Sequence, residues 1–98
     1  MPAYFIVRCN YHNKDDYKNY AMTAAKAVFN FNGKFLVSGK EQQIQKESGE
    51  HSKTVIVEFE TMAKAVSCYE CETYQKALSF IGRSSDRDFV IVEGLNSV

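Results

Sequence analysis

The side chains best suited to chemistry in this 98-residue chain are three Cys, two His and a set of Tyr, Arg and Glu residues. Cys68 and Cys71 have the spacing of a metal-ligand or redox pair. A four-cysteine zinc site needs a second such pair, and only Cys9 remains. A redox pair of this spacing opens a helix after a strand, where the helix dipole acidifies the thiol. Cys68-Tyr69-Glu70-Cys71 falls instead well inside a helical repeat, so the two Cys read as small buried residues on one helix face. His12 and His51 lie in polar stretches with no flanking ligand pattern and read as solvated. No nucleophile–base pair, phosphate loop or dinucleotide fingerprint is visible, so neither a cofactor nor a metal is expected.

The remaining candidates are ligand-binding side chains. Arg8 and Glu58 fall on neighbouring strands, where they either pair with each other across the sheet or orient a polar ligand. Tyr17, Tyr20, Tyr69 and Tyr74 recur at helical spacings that aim them at the sheet. Packing accounts for most of these rings, while a phenol at a pocket edge can position or protonate a substrate. Arg83 follows the second helix, as a C-terminal cap or as an anchor for an anion.

The elements that must carry these residues follow from periodicity. Tyr4 to Cys9 is β-branched and aromatic and reads as a strand, followed by a turn-prone Asn10 to Asn13. From Asp15 to Asn30 the apolar residues recur at i, i+3, i+4 and i+7, with Asn13 or Asp15 as cap and Gly33 suited to a left-handed stop. Lys34 to Ser38 is a second strand, ended or bulged at Gly39. Residues 40 to 53 are polar and form an exposed hairpin in this reading. Thr54 to Glu60 is the third strand, Thr61 to Phe80 the second helix, Gly82 to Asp88 a loop and Phe89 to Glu93 the fourth strand. That order is β-α-β-β-α-β: an α+β, ferredoxin-like single domain over residues 1–98, with two helices on one face of a four-stranded antiparallel sheet.

The strand faces carry a further implication. Phe5 and Val7 oppose Tyr4 and Ile6; Val55, Val57 and Phe59 oppose Ile56; Phe89 and Ile91 oppose Val90 and Val92. Both faces are substantially apolar, and two helices cover only one. A second copy of the sheet is the simplest cover, which predicts a homodimer. A single-stranded RNA is the rival occupant, but the third strand lacks the glycine-aromatic signature of RNA-recognition motifs and carries Glu58 and Glu60. Lys plus Arg equals Asp plus Glu at 12 each, so the net charge is zero and no long-range field draws nucleic acid or an anionic membrane. No apolar run approaches the ~20 residues of a membrane span. The odd number of Cys, and an N-terminus unlike a secretory signal, predict a reduced cytoplasmic protein.

With these elements placed, the chain resembles the domain-of-unknown-function 1330 family of the dimeric α/β-barrel (ferredoxin-like) superfamily. The resemblance rests on Met1-Pro2-Ala3-Tyr4, Tyr17 and Tyr20, Gly33-Lys34-Phe35-Leu36-Val37 and Val57-Glu58-Phe59. It continues through Ala65, Tyr69, Tyr74-Gln75, Arg83 and Val90-Ile91-Val92-Glu93-Gly94. It implies a dimer with face-to-face sheets and supplies no established activity. Relatives in the wider superfamily include monooxygenases working without metal or flavin, isomerase-like enzymes and stress-response proteins. The chain departs from the family at Ser38-Gly39-Lys40, where an arginine followed by glycines is common, and at Asn13-Lys14, where Asp-Pro is usual. A third departure is Cys71-Glu72-Thr73-Tyr74, where Ser-Pro-Glu-Tyr is favoured. If the helix breaks there as in the family, Cys71 sits at a helix start as a candidate reactive thiol.

These readings converge on a cavity between sheet and helices that binds or converts a small organic molecule, monooxygenase-like or isomerase-like. Arg8, Tyr17, Tyr20, Glu58, Tyr74 and Arg83 are its candidate ligand-binding residues. The alternative is a non-catalytic dimeric binding or regulatory module.

Overall fold

The central strand sets the layout. In a strand, successive side chains point to opposite faces, and β1 (Ala3–Tyr11) obeys this throughout: Ala3, Phe5, Val7 and Cys9 are buried, while Tyr4, Ile6, Arg8 and Asn10 are only partly covered. The computed structural model describes residues 1–82 and 85–95. After β1 come α1 (Lys14–Asn30), β2 (Lys34–Ser38), β3 (Lys53–Phe59), α2 (Met62–Glu70), α3 (Glu72–Ser79) and β4 (Ser85–Glu93). The sheet order is β2-β3-β1-β4, with every neighbouring pair antiparallel. This is the ferredoxin-like architecture expected from the element order. All the helices lie on one face, over a core that includes Phe5, Val28, Val57, Phe59 and Tyr74. With Cα extents of 39 × 35 × 17 Å the molecule is a slab two layers thick.

Local chemistry explains the element ends. The Asn13 side chain accepts hydrogen bonds from the backbone N–H of Asp15 and Asp16, both at 3.0 Å, and caps α1. Asp15 and Asp16 place negative charge in its first turn, toward the positive end of the helix dipole. At the other end Asn32, not Gly33, takes the left-handed conformation, with φ 58°. Gly33 is needed for a different reason: a Cβ there would lie 2.6 Å from Val28 Cγ1 and 2.8 Å from Phe59 Cε1. Gly33 N–H closes the turn on Val28 O at 2.8 Å.

Four expectations are corrected. The second helix is two helices, broken at Cys71, whose backbone is extended (φ −67°, ψ 157°). Cys71 N–H ends α2 on Cys68 O, and its Sγ accepts the Tyr74 N–H at 3.4 Å to start α3. Cys68 and Cys71 therefore do not share a helix face: Cys68 is fully buried and Cys71 is partly exposed at the junction. The stretch read as a loop before the fourth strand is largely strand, since β1 runs on to Tyr11 and Tyr11 pairs with Ser85. Residues 40–52 carry no strand of their own and form a long exposed connection; β2 ends just before Gly39, as expected, with a register irregularity between Phe35 and Val37.

The tight fit at Gly33 yields a prediction. Gly33→Ala drives a methyl group into Val28 and Phe59, an overpacking cost of about 1–3 kcal/mol. Urea denaturation checks this as a lowered midpoint with an unchanged slope.

Candidate functional site

A cavity of about 100 Å³ lies between α1, α3 and the sheet. Its apolar wall includes Val7, Val28, Val55 and Val57, and its polar atoms come from Ser38 and the phenols of Tyr11, Tyr17, Tyr20 and Tyr74. Helical periodicity brings Tyr17, Tyr20, Ala24 and Val28 to the sheet side of α1. Tyr74 arrives from α3, at the start that Cys71 fixes. The Tyr20 and Tyr74 hydroxyls are 2.6 Å apart and buried, and Arg87 Nη2 donates to Tyr20 Oη at 2.9 Å. The Arg87 guanidinium also lies over the rings of Tyr20 and Phe89, 4.8 and 5.3 Å from their centroids. Tyr11 and Tyr17 stack at 3.9 Å toward the end where Ser38 and Lys53 sit. There Lys53 Nζ is 5.4 Å from the Tyr17 ring centroid and 3.5 Å from Gly39 O.

Burial dominates the ionisation behaviour. It pushes the phenols of Tyr11, Tyr17, Tyr20 and Tyr74 above their ordinary value, the nearby Arg87 charge opposing it in each case. These groups are therefore neutral hydrogen-bond donors at neutral pH. Burial works against the charge on Arg87, but the surrounding Tyr20, Tyr74 and Tyr11 outweigh it, and Arg87 stays protonated. Every described cavity-lining group that titrates is a phenol; neither carboxylate nor imidazole lines the space.

The candidates read from sequence divide between the two sheet faces. Tyr17, Tyr20 and Tyr74 line the cavity together. Arg8 and Glu58 do not: strand alternation puts both on the opposite face, and the register sets Arg8 across from Thr54 and Glu58 across from Tyr4. The cross-strand Arg8–Glu58 pair is thus replaced by two separate contacts. Tyr4 Oη donates to Glu58 at 3.2 Å, and Arg8 Nη2 donates to Gln45 Oε1 at 2.8 Å and to His51 O at 3.4 Å. Asn10 adds bonds to Glu50 O and from Ser52 N, which tie the 40–52 connection to that end of the sheet. Arg83 lies outside the described residues. Beside the cavity, where Ser38-Gly39-Lys40 departs from the family pattern, the Glu41 carboxylate accepts from Ser38 N, Ser38 Oγ and Gly39 N. These bonds, led by the Ser38 hydroxyl, hold the Glu41 carboxyl below the usual range.

Two cavity-region residues were missed by the sequence reading, Tyr11 and Arg87. Both sat in stretches taken for turn or loop, yet each shares the parity of the buried residues on its strand: Tyr11 with Val7 and Cys9, Arg87 with Phe89 and Ile91.

A family model, that of a domain of unknown function (DUF1330), matches residues 2–95. The chain belongs to the DUF1330 family. Among solved structures, a protein of unknown function from Rhodopseudomonas palustris has a TM-score of 0.72 at 14% identity, over 98% of this chain and 84% of that one. A dimeric ferredoxin-like protein of unknown function from Thermobifida fusca scores 0.61 at 15% identity, over 93% and 89%. SnoaB, a cofactor-independent oxygenase from Streptomyces nogalater, scores 0.60 at 10% identity, over 99% and 96%. At such identities these likenesses show the shared fold. No curated protein matches the chain. No described helix is long and apolar enough to cross a membrane, and the described residues of this DUF1330 member hold no cluster of three metal-ligating side chains.

Two predictions follow from burial. Cys9 and Cys68 are fully buried, and burial, with the Cys71 thiol beside it, pushes Cys68 up to about 12. An aromatic disulfide reagent therefore labels Cys71 alone in the native protein and reaches the other two only on unfolding; mass spectrometry of partly labelled protein checks the order. Because folded-state thiols and phenols have raised pKa values, the unfolded chain loses protons first as pH rises. Stability is then full below about pH 8.5 and falls above it, measurable as a urea midpoint that is level from pH 7 and drops at alkaline pH.

Proposed function

We propose that the protein is a cytoplasmic, single-domain homodimer whose subunits each bind a small, mostly apolar organic molecule in the sheet–helix cavity. The observation that carries the ligand reading is the buried Arg87–Tyr20–Tyr74 chain ending at an apolar cavity. Ligand sites are typically apolar clefts with a few convergent polar groups, and this one has neutral donors backed by a cation. A volume of about 100 Å³ suits a compact molecule, since an engineered cavity of about 150 Å³ holds benzene.

The dimer reading is supported by the open face, where Ile6, Ile56, Val90 and Val92 stand without a covering layer; Val90 and Val92 are 48% and 45% exposed. The described dimer from Thermobifida fusca has the same fold. A standard interface of about 800 Å² per partner would add substantially to a domain this small. The cytoplasmic reading is supported by three free cysteines, two of them buried as thiols.

What the cavity does with its ligand is read through its donors. Phenols backed by a guanidinium can hold and polarise a ligand oxygen, which supports conversion of the kind named for the cofactor-independent oxygenase SnoaB. The second reading, binding without turnover, is favoured by a cavity wall whose described titratable groups are all phenols held neutral.

Two experiments test this. A thermal-shift screen of small phenols and carboxylic acids yields stabilising compounds, and Tyr74→Phe weakens them by about twofold to tenfold, the loss of one hydrogen bond of roughly 0.5–1.5 kcal/mol. A screen in which no compound shifts the transition would sink the ligand reading. Sedimentation at micromolar concentration gives a dimer of the 11.2 kDa chain, and Ile6→Lys yields monomer; a wild-type monomer would overturn the assembly.

A further inference from the structure

We propose that the cavity takes its ligand as an oxyanion, an ionised enol, phenol or carboxyl oxygen held by the Tyr20–Tyr74 pair with the Arg87 charge behind it. This deepens the cavity-binding reading above and rests on it. The first support is a cation without a counter-ion. Among the described residues the one ion pair is Lys64–Glu60 on the surface, at 3.1 Å, so Arg87 has no carboxylate partner. Its strand neighbours Asp86 and Asp88 fall on the opposite face by alternation. Its Nη2 bonds Tyr20, two aromatic rings cover its plane, and its Nε is buried with no hydrogen-bond partner among the described residues. A charge drawn partly out of water is normally paired. Here the groups facing it are Tyr17 and Tyr20 from α1, Tyr74 from α3, and Cys9 and Tyr11 from β1, all neutral near pH 7. The Glu41 carboxylate, next to the cavity-lining Ser38, is tied into Ser38 and Gly39.

The second support is a hydrogen count. Tyr20 and Tyr74 bring two hydroxyl hydrogens, and one of them bridges the 2.6 Å contact. Arg87 donates to Tyr20 Oη and so consumes none. Whichever phenol donates across the pair, the other hydroxyl hydrogen has no acceptor among the described residues, and both side chains line the cavity. A ligand oxygen placed there accepts that hydrogen, at the end of a chain polarised by a cation. Charge-assisted hydrogen bonds are roughly twice as strong as neutral ones, so the ionised oxygen is the preferred guest. The aliphatic wall of Val7, Val28, Val55 and Val57 then receives the remainder of the molecule.

The test compares two five-membered rings of nearly equal size by calorimetry at neutral pH. One is 1,3-cyclopentanedione, ionised as its enolate; the other is its O-methyl enol ether, locked neutral. The enolate is expected to bind at least about tenfold tighter, a difference of about 1.4 kcal/mol. In Arg87→Met that preference collapses, the enolate losing far more affinity than the neutral ether. Equal binding of the two probes to wild type, or a preference surviving in Arg87→Met, would overturn the oxyanion assignment and leave the cavity reading standing. Failure of both probes to bind would overturn both. The wild-type comparison decides the matter by itself if Arg87→Met does not fold.

Discussion

The alternation of β1 is the constraint on which the rest depends. As the central partner of both β3 and β4, this strand fixes the phase of its neighbours, because each register pairs residues of the same face. Phe5 and Val7 face the helices, so Val57, Phe89 and Ile91 must too. A one-residue slip would exchange the two faces along the whole sheet. The cavity inherits that phase: Tyr11 and Arg87 reach the helix side because they are even numbers of residues from Val7 and Phe89. The same rule sends Arg8 and Glu58 to the bare face.

The fold was legible because this alternation, the helical spacing of Tyr17, Tyr20, Ala24 and Val28, and the Asn13 cap all point the same way. What was misread has a common physical origin. Ser85-Asp86-Arg87-Asp88 is polar in composition yet strand in structure, because backbone pairing to a nine-residue β1 decides the matter over side-chain propensity. Arg87 was hidden in that stretch, and with it the cation of the site. Cys71 was ambiguous for the opposite reason. Its segment keeps a helical repeat across the break, and the extended Cys71 backbone and the sulfur contact with Tyr74 N–H show that the repeat restarts there.

The Cys71 break also has a place in the chemistry. It seats Tyr74 in the first turn of a new helix, where the hydroxyl reaches Tyr20 on a different helix. Gln75 Nε2 bonds Tyr69 O across the junction at 2.7 Å and satisfies a carbonyl that the interrupted helix leaves open. Around it Tyr69, Tyr74, Phe89 and Phe5 pack in tilted and edge-to-face pairs with centroids between 4.9 and 6.2 Å, which fixes the rings that present the phenols. The hydrogen-bond chain is thus held by packing on three elements and needs no loop to close over it.

The chain has six Tyr and no Trp, and Tyr11, Tyr17, Tyr20 and Tyr74 line the sheet–helix cavity. Its ultraviolet emission and near-ultraviolet dichroism therefore arise mainly from rings at the site. Tyr20 and Tyr74 are 54 residues apart and Tyr20 and Arg87 are 67 apart, so the contacts that perturb those two phenols form only when distant parts of the chain meet. Such non-local contacts are the slow ones to assemble. The protein carries, without any label, an optical signal of its long-range assembly.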